Sequence, residues 1–331
     1  MEIKAVDVAK LRKMTGAGMM DCKKALVEAE GDFERAQELI REKGKLVAAK
    51  RADRETTEGS VIALTNADEN KAILICLGCE TDFVSKNAEF QELANNIAKS
   101  ALASFPADKD GLMAAKMEDG RTIEEAVTQQ TGKSGEKHAI ATYSRIEAPY
   151  IGSYIHTNGK VATIVGFTKA ISHEAAREIA MQITAMNPVS VSRDDCPQEV
   201  INKELEIAIE KTKDEQVQKA VEAALKKAGF NLYTAENEEH INEGVMKGSI
   251  TEAQAQEIRD IKKNVAAEKA ANLPEQMIQN IAQGRLTKFF KESTLEDQTF
   301  VKDGKISVKD YLKTIDAEVK ITSFARFSLN D

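Results

Sequence analysis

The chain has 331 residues, 42% hydrophobic and 30% charged, with a formal net charge of −8. That length exceeds what one core organises, so two or three domains are expected, and the acidic balance argues against nucleic acid as the main partner. Aromatic residues make up only 5% and tryptophan is absent, which leaves few platforms for stacking bases.

Residues 1–55 read as a small three-helix bundle. Val6, Leu11 and Met14 fall at helical spacing before Thr15-Gly16-Ala17-Gly18. A second helix starts at Met19 or Met20, carries Cys22, Leu26 and Val27, and stops at Gly31. Asp32 is a good N-cap for a third, which buries Phe33, Ala36, Leu39 and Ile40 before Gly44. The charged stretch from Ala48 to Gly59 reads as a linker or frayed helix.

Next comes a weak internal repeat. Gly59-Ser60-Val61-Ile62, Thr65-Asn66 and Lys71-Ala72-Ile73 are answered by Gly152-Ser153-Tyr154-Ile155, Thr157-Asn158 and Lys160-Val161-Ala162. Each copy has the pattern of a β-hairpin with a polar tip. A helix follows each: Phe90, Leu93, Ala94, Ile97 and Ala101 form one apolar stripe, and Ala176, Ile179, Ala180, Ile183 and Met186 form the other, ahead of Pro188. Two hairpin-plus-helix copies imply an α+β core of two related subdomains, 56–142 and 143–331. From about 197 to 283 the pattern is helical and charged, with stripes at Ile201, Leu205, Ala208 and Thr212 and at Ile258, Ile261 and Val265. This reads as a long coiled helical hairpin inserted in the second subdomain, packing on itself or on a second copy of the chain. The alternating tail from Glu318 to Leu329 reads as a returning strand.

Chemical motifs are few. Cys76 and Cys79 have redox and zinc spacing, but on a strand positions i and i+3 face opposite sides, and His138, His156, His173 and His240 are scattered singly. Buried, inert cysteines are expected; a thiol oxidoreductase is the alternative. Gly132-Lys133-Ser134 imitates the end of a phosphate loop, yet Val127 stands where its first glycine belongs. Thr15-Gly16-Ala17-Gly18 imitates a dinucleotide fingerprint, yet Asp21 occupies the third glycine position. No catalytic constellation, metal site or cofactor site can be placed. No apolar run approaches the roughly 20 residues of a membrane helix, the opening MEIKAVDVAK lacks a signal-peptide pattern, and four cysteines do not form a secreted framework. A cytoplasmic, membrane-free protein is the expectation.

Two features carry function. Met19-Met20 follow a glycine-rich turn and open a helix, either as part of the bundle core or as a soft contact surface. In KAILICLGCETDFVSKNAEF, the apolar run Ala72–Leu77 gives way to Thr81-Asp82-Phe83-Val84, a carboxylate beside a bare phenylalanine. One reading makes Phe83 core and Asp82 the cap of a helix starting near Asn87; the other exposes the pair for use.

The stretch from Leu11 to Leu26, LRKMTGAGMMDCKKAL, resembles the N-terminal signature of the elongation factor Ts family. The apolar strand running into Thr81-Asp82-Phe83-Val84 resembles that family's second signature, and Gly152-Ser153-Tyr154-Ile155-His156 resembles a third element. The resemblance covers nearly the whole chain in order. It implies a ubiquitin-associated-like bundle, a two-subdomain core with a helical protrusion, and a guanine-nucleotide exchange factor for the GTPase elongation factor Tu, without covalent chemistry. It further implies that Thr81, Asp82, Phe83 and Val84 dislocate the GTPase's Mg²⁺, and that Met19, Met20, Gly135 and His156 make further partner contacts. The chain departs from compact family members in its longer segment between about 211 and 272, and in ending at Asp331, where some members continue into a helical module. Homodimerisation through the hairpin is an expectation that accompanies that longer segment. A pure binding module, with the core as scaffold, is the alternative from another class.

Overall fold

The computed structural model describes residues 3–157 and 159–331. Met1 and Glu2, counted with the bundle, and Asn158, read as a hairpin tip, lie outside the described residues. The chain separates into two compact units: residues up to Val191 together with Thr299–Asp331, and Ser192–Gln298.

The first unit begins with helices Ala5–Thr15, Met19–Glu28 and Phe33–Lys50. Their core is Val8, Leu11, Ala17, Cys22, Leu26 and Ala36, with Phe33, Leu39 and Ile40 packed against it. Of the apolar residues at helical spacing, Val6, Met14 and Val27 are exposed, while Val8, Leu11 and Thr15 take the inward positions of the first helix. The third helix does not stop at Gly44 but runs on to Lys50, with Gly44 buried inside it.

Two antiparallel sheets follow. The first has the order β1 (Glu58–Thr65), β2 (Lys71–Cys79), β3 (Ala139–Glu147). The second has the order β4 (Tyr150–Ile155), β5 (Val161–Phe167), β6 (Ile321–Ser328). Both repeated motifs are therefore hairpins, each completed by a third strand. The run in β2 is nearly all apolar because the strand is covered on both faces. Ile73, Ile75, Leu77 and Cys79 enter the core beneath helices Ala88–Ser104 and Ile123–Ser134. Ala72, Leu74 and Cys76 enter a second core, shared with Ile151, Ala162 and Ile164 of the other sheet. Helix His173–Met186 covers the far face of β4 and β5, and Gly152 admits it closely: a Cβ there would lie 2.8 Å from the Ala176 Cβ. The unit is thus layered helix, sheet, sheet, helix.

The second unit is all helical. Helix Gln198–Lys227 packs against both Glu252–Ala271 and Glu275–Ser293, so the two stripes are not buried on each other. Ala208 lies beside Leu286, and Ile258 packs with Leu225 at the other end of the long helix. Arg285 and Glu215 pair across the hairpin at 2.6 Å. Between the two stripes, the segment after Gly229 folds into short helices Leu232–Ala235 and Glu238–Met246. These close a small core of Leu225, Ala235, Ile241, Ala255 and Ile258.

Candidate functional site

Thr81 stands just past the end of β2 in an extended conformation, as the N-cap of a one-turn helix, Asp82–Ser85. That helix puts neighbouring side chains on opposite sides. Phe83 points outward with 85% of its surface exposed, Val84 packs against the core, and Ser85 is buried. Leaving a phenylalanine out of the core forgoes about 1.5–3 kcal/mol of burial. Asp82 does not cap the next helix: Asn87 does, accepting from the Glu89 N–H at 2.8 Å. Asp82 instead pairs with Lys86 at 2.7 Å, and that bond and charge hold its carboxyl below the usual range. The Ser85 carbonyl accepts from Gln91 Nε2 at 2.6 Å, and Ser60 donates to Gln91 at 3.1 Å, so the turn's far end is fastened to β1.

An open groove of about 940 Å³ runs beside this turn, lined by Val61, Asp82, Phe83, Lys86, Ile155 and Lys160. Ile155 is another exposed apolar side chain on it. A larger, polar cleft of about 1100 Å³ lies between the bundle and the core, lined by Arg12, Met19, Arg41, Glu92, Arg121 and Lys133; Phe83 does not line it.

The other residues singled out from sequence lie elsewhere on the first unit. Gly16 ends the first helix in the left-handed region, φ 68°, and Gly18 precedes the second without a side-chain cap. Cys22 donates back to the Ala17 carbonyl, 3.6 Å away, securing the turn. Met19 and Met20, ahead of that anchor, are left exposed, Met20 to 65%. Gly135 is the C-cap of helix Ile123–Ser134 at φ 75°, and a Cβ there would meet nothing within 4 Å. Glycine is thus needed for conformation, not for space. His156 is exposed, its Nδ1 3.1 Å from the Tyr154 hydroxyl.

Residues that sequence reasoning missed surround Thr81. Glu136 bonds both its N–H and its hydroxyl, and Glu80 takes an Arg51 nitrogen at 3.0 and 2.9 Å and the Lys137 N–H at 2.6 Å. These partners are remote in sequence and follow no motif spacing, so no pattern could have found them.

The alternative chemistries find little support. Burial pushes the Cys76 and Cys79 thiols up to about 12, and they occupy cores on opposite faces of β2. Gly132-Lys133-Ser134 is the last turn of a helix, not a phosphate loop. Among the described residues, no group of three or more His, Cys, Asp or Glu is arranged to hold a metal ion. No helix among them is long and apolar enough to cross a membrane. What the surface offers is an apolar side chain on a fastened turn, next to a carboxylate.

A family model described as elongation factor TS matches residues 80–331, which include the Thr81–Val84 turn, Gly135 and His156. Curated relatives named elongation factor Ts are similar along their whole length. Those from Bacteroides fragilis and Bacteroides thetaiotaomicron are each 48% identical over 330 residues, and that from Parabacteroides distasonis is 49% identical, with 99% of both chains covered in every case. Family match and full-length similarity agree: this chain belongs to the elongation factor Ts family.

Proposed function

We propose that this chain is a guanine-nucleotide exchange factor for elongation factor Tu. It binds the GDP form of the GTPase, presses Asp82 and Phe83 against the elements that hold Mg²⁺ and the phosphates, and promotes release of GDP. It leaves when GTP binds. The observation that carries this reading is Phe83, 85% exposed on a one-turn helix tied at both ends. Mg²⁺ demands near-ideal octahedral geometry, so a small displacement of its ligands costs the GTPase much of its metal affinity and, with it, its hold on the β-phosphate. The factor makes and breaks no covalent bond.

Magnitudes set the share that one side chain contributes. Burying Phe83 at an interface is worth about 1.5–3 kcal/mol, roughly ten- to hundredfold in affinity. A tightly held nucleotide needs more, supplied by a broad interface to which Thr81, Val84, Met19, Met20, Gly135 and His156 contribute. Reciprocity follows: whatever factor by which this protein weakens GDP, GDP weakens this protein's binding equally.

The test is stopped-flow release of a fluorescent GDP analogue from the cognate elongation factor Tu. Wild-type protein accelerates release strongly; Asp82→Ala/Phe83→Ala loses at least tenfold of that acceleration, with an unchanged melting temperature. No acceleration by the wild type would overturn the reading, and acceleration surviving the double substitution would move the mechanism away from Phe83.

A further inference from the structure

A single helical turn does not hold its shape in water, because nucleation fixes several residues for very few bonds. Two backbone bonds close the Asp82–Ser85 turn: Ser85 N–H to Thr81, and Lys86 N–H to Asp82. Its N-terminal end is held from outside. One oxygen of Glu136 accepts the Thr81 N–H at 3.1 Å, and the other accepts the Thr81 hydroxyl at 2.7 Å. Glu136 is placed for this by its own surroundings. Gly135 turns the chain out of helix Ile123–Ser134 at φ 75°, and the Glu136 N–H donates to Ser134 Oγ at 3.1 Å. The Glu136 carbonyl lies 3.0 Å from Nδ1 of His138, a buried ring. One residue before Thr81, Glu80 is fixed by Arg51 and by the Lys137 N–H, and Lys137 Nζ reaches the carbonyls of Ala52 and Arg54. Both residues preceding Asp82 are therefore clamped by carboxylate bonds to distant segments.

We infer that Glu136 is a positioning residue for exchange: by gripping Thr81 at two points it sets the direction in which Phe83 is presented, without touching the GTPase itself. The inference rests on the exchange reading above. A turn that swivels spends part of its time aiming Phe83 elsewhere, and that reorganisation is charged against every productive encounter. A buried hydrogen bond to a charged group is worth about tenfold or more. This pair is only partly buried, where water competes, and about tenfold is expected for the two together.

The experiment combines variants with two independent readouts. Glu136→Ala lowers the saturating rate of stimulated GDP release about tenfold. Glu136→Gln recovers most of it, since its amide oxygen can take the Thr81 N–H and its NH₂ can donate to the hydroxyl. In an Asp82→Ala/Phe83→Ala background, adding Glu136→Ala costs less than twofold more, because neither working side chain is left to aim. By NMR, the Thr81 amide exchanges slowly with solvent in the wild type and fast in Glu136→Ala, while the melting temperature changes little. An unchanged release rate in Glu136→Ala, an equal loss in both backgrounds, or retained Thr81 protection would each overturn the positioning role alone. Absence of any acceleration by the wild type would overturn the exchange reading and the positioning role together.

Discussion

Phe83 and Phe90 are neighbours in sequence with opposite fates. Phe90 is fully buried with its ring 5.6 Å from that of His138, whereas Phe83 stands in solvent. His138 shows what such burial costs an ionisable group. Its Nε2 has no hydrogen-bond partner, and desolvation lowers its pKa from the ordinary 6.5. The unfolded chain therefore takes up this proton at a pH where the folded chain still refuses it. Stability falls as pH drops below about 6.5 and levels off once the folded histidine also titrates. Urea unfolding at pH 7.5 and 5.5 checks this: the wild type loses stability between the two, and His138→Asn loses less. The cysteines make a second test at this scale. With thiols pushed up to about 12, Cys76 and Cys79 carry almost no thiolate at pH 8 and are buried besides. An alkylating reagent leaves both unlabelled in the native protein and labels both in denaturant. Labelling of either in the native state at a free-thiol rate would refute this.

At the scale of elements, one helix crossing explains an error of sequence reading. Gly44 reads as a helix terminator, yet it lies inside helix Phe33–Lys50 where that helix crosses Ile123–Ser134. The two glycines are not equivalent. A Cβ on Gly132 would lie 2.7 Å from the Gly44 Cα, whereas a Cβ on Gly44 would meet its nearest neighbour, the Thr128 carbonyl, at an ordinary 3.5 Å. Gly132→Ala should cost roughly 1–3 kcal/mol through overpacking against backbone. Gly44→Ala should be neutral or stabilise by about 0.5–1 kcal/mol, the helix-interior penalty of glycine being lifted. Thermal melts of the two variants would show the asymmetry, and equal losses would contradict it. The sequence showed both glycines but not that they meet. Periodicity reports which residues want burial, not what they are buried against, so close approaches stay invisible to it. The same limit hid the Glu136 bond to Thr81 and the two short helices after Gly229.

At the scale of the whole molecule, the order of elements was largely readable because each signal was local. The two hairpins, the helices behind them and the tail strand all have the expected residues at the expected period. Strand β3 was not, since Ala139–Glu147 mixes apolar and polar residues without alternation and buries only Ile140 and Ile146. The exposed pair Asp82-Phe83 was legible as an anomaly; its outward direction required the structure. Sheet topology adds a consequence for the order of synthesis. β5 is made early, but its partner β6 is Ile321–Ser328, and the second unit lies between them in the chain. Until β6 has left the ribosome, β5 has an unpaired edge, and closing that pairing spans the entire helical insertion. Prior folding of the insertion on its own small core shortens the effective loop and lowers the entropy of closure. Loss of β6 alone would therefore strip that sheet of a third of its strands and leave β5 with a sticky edge.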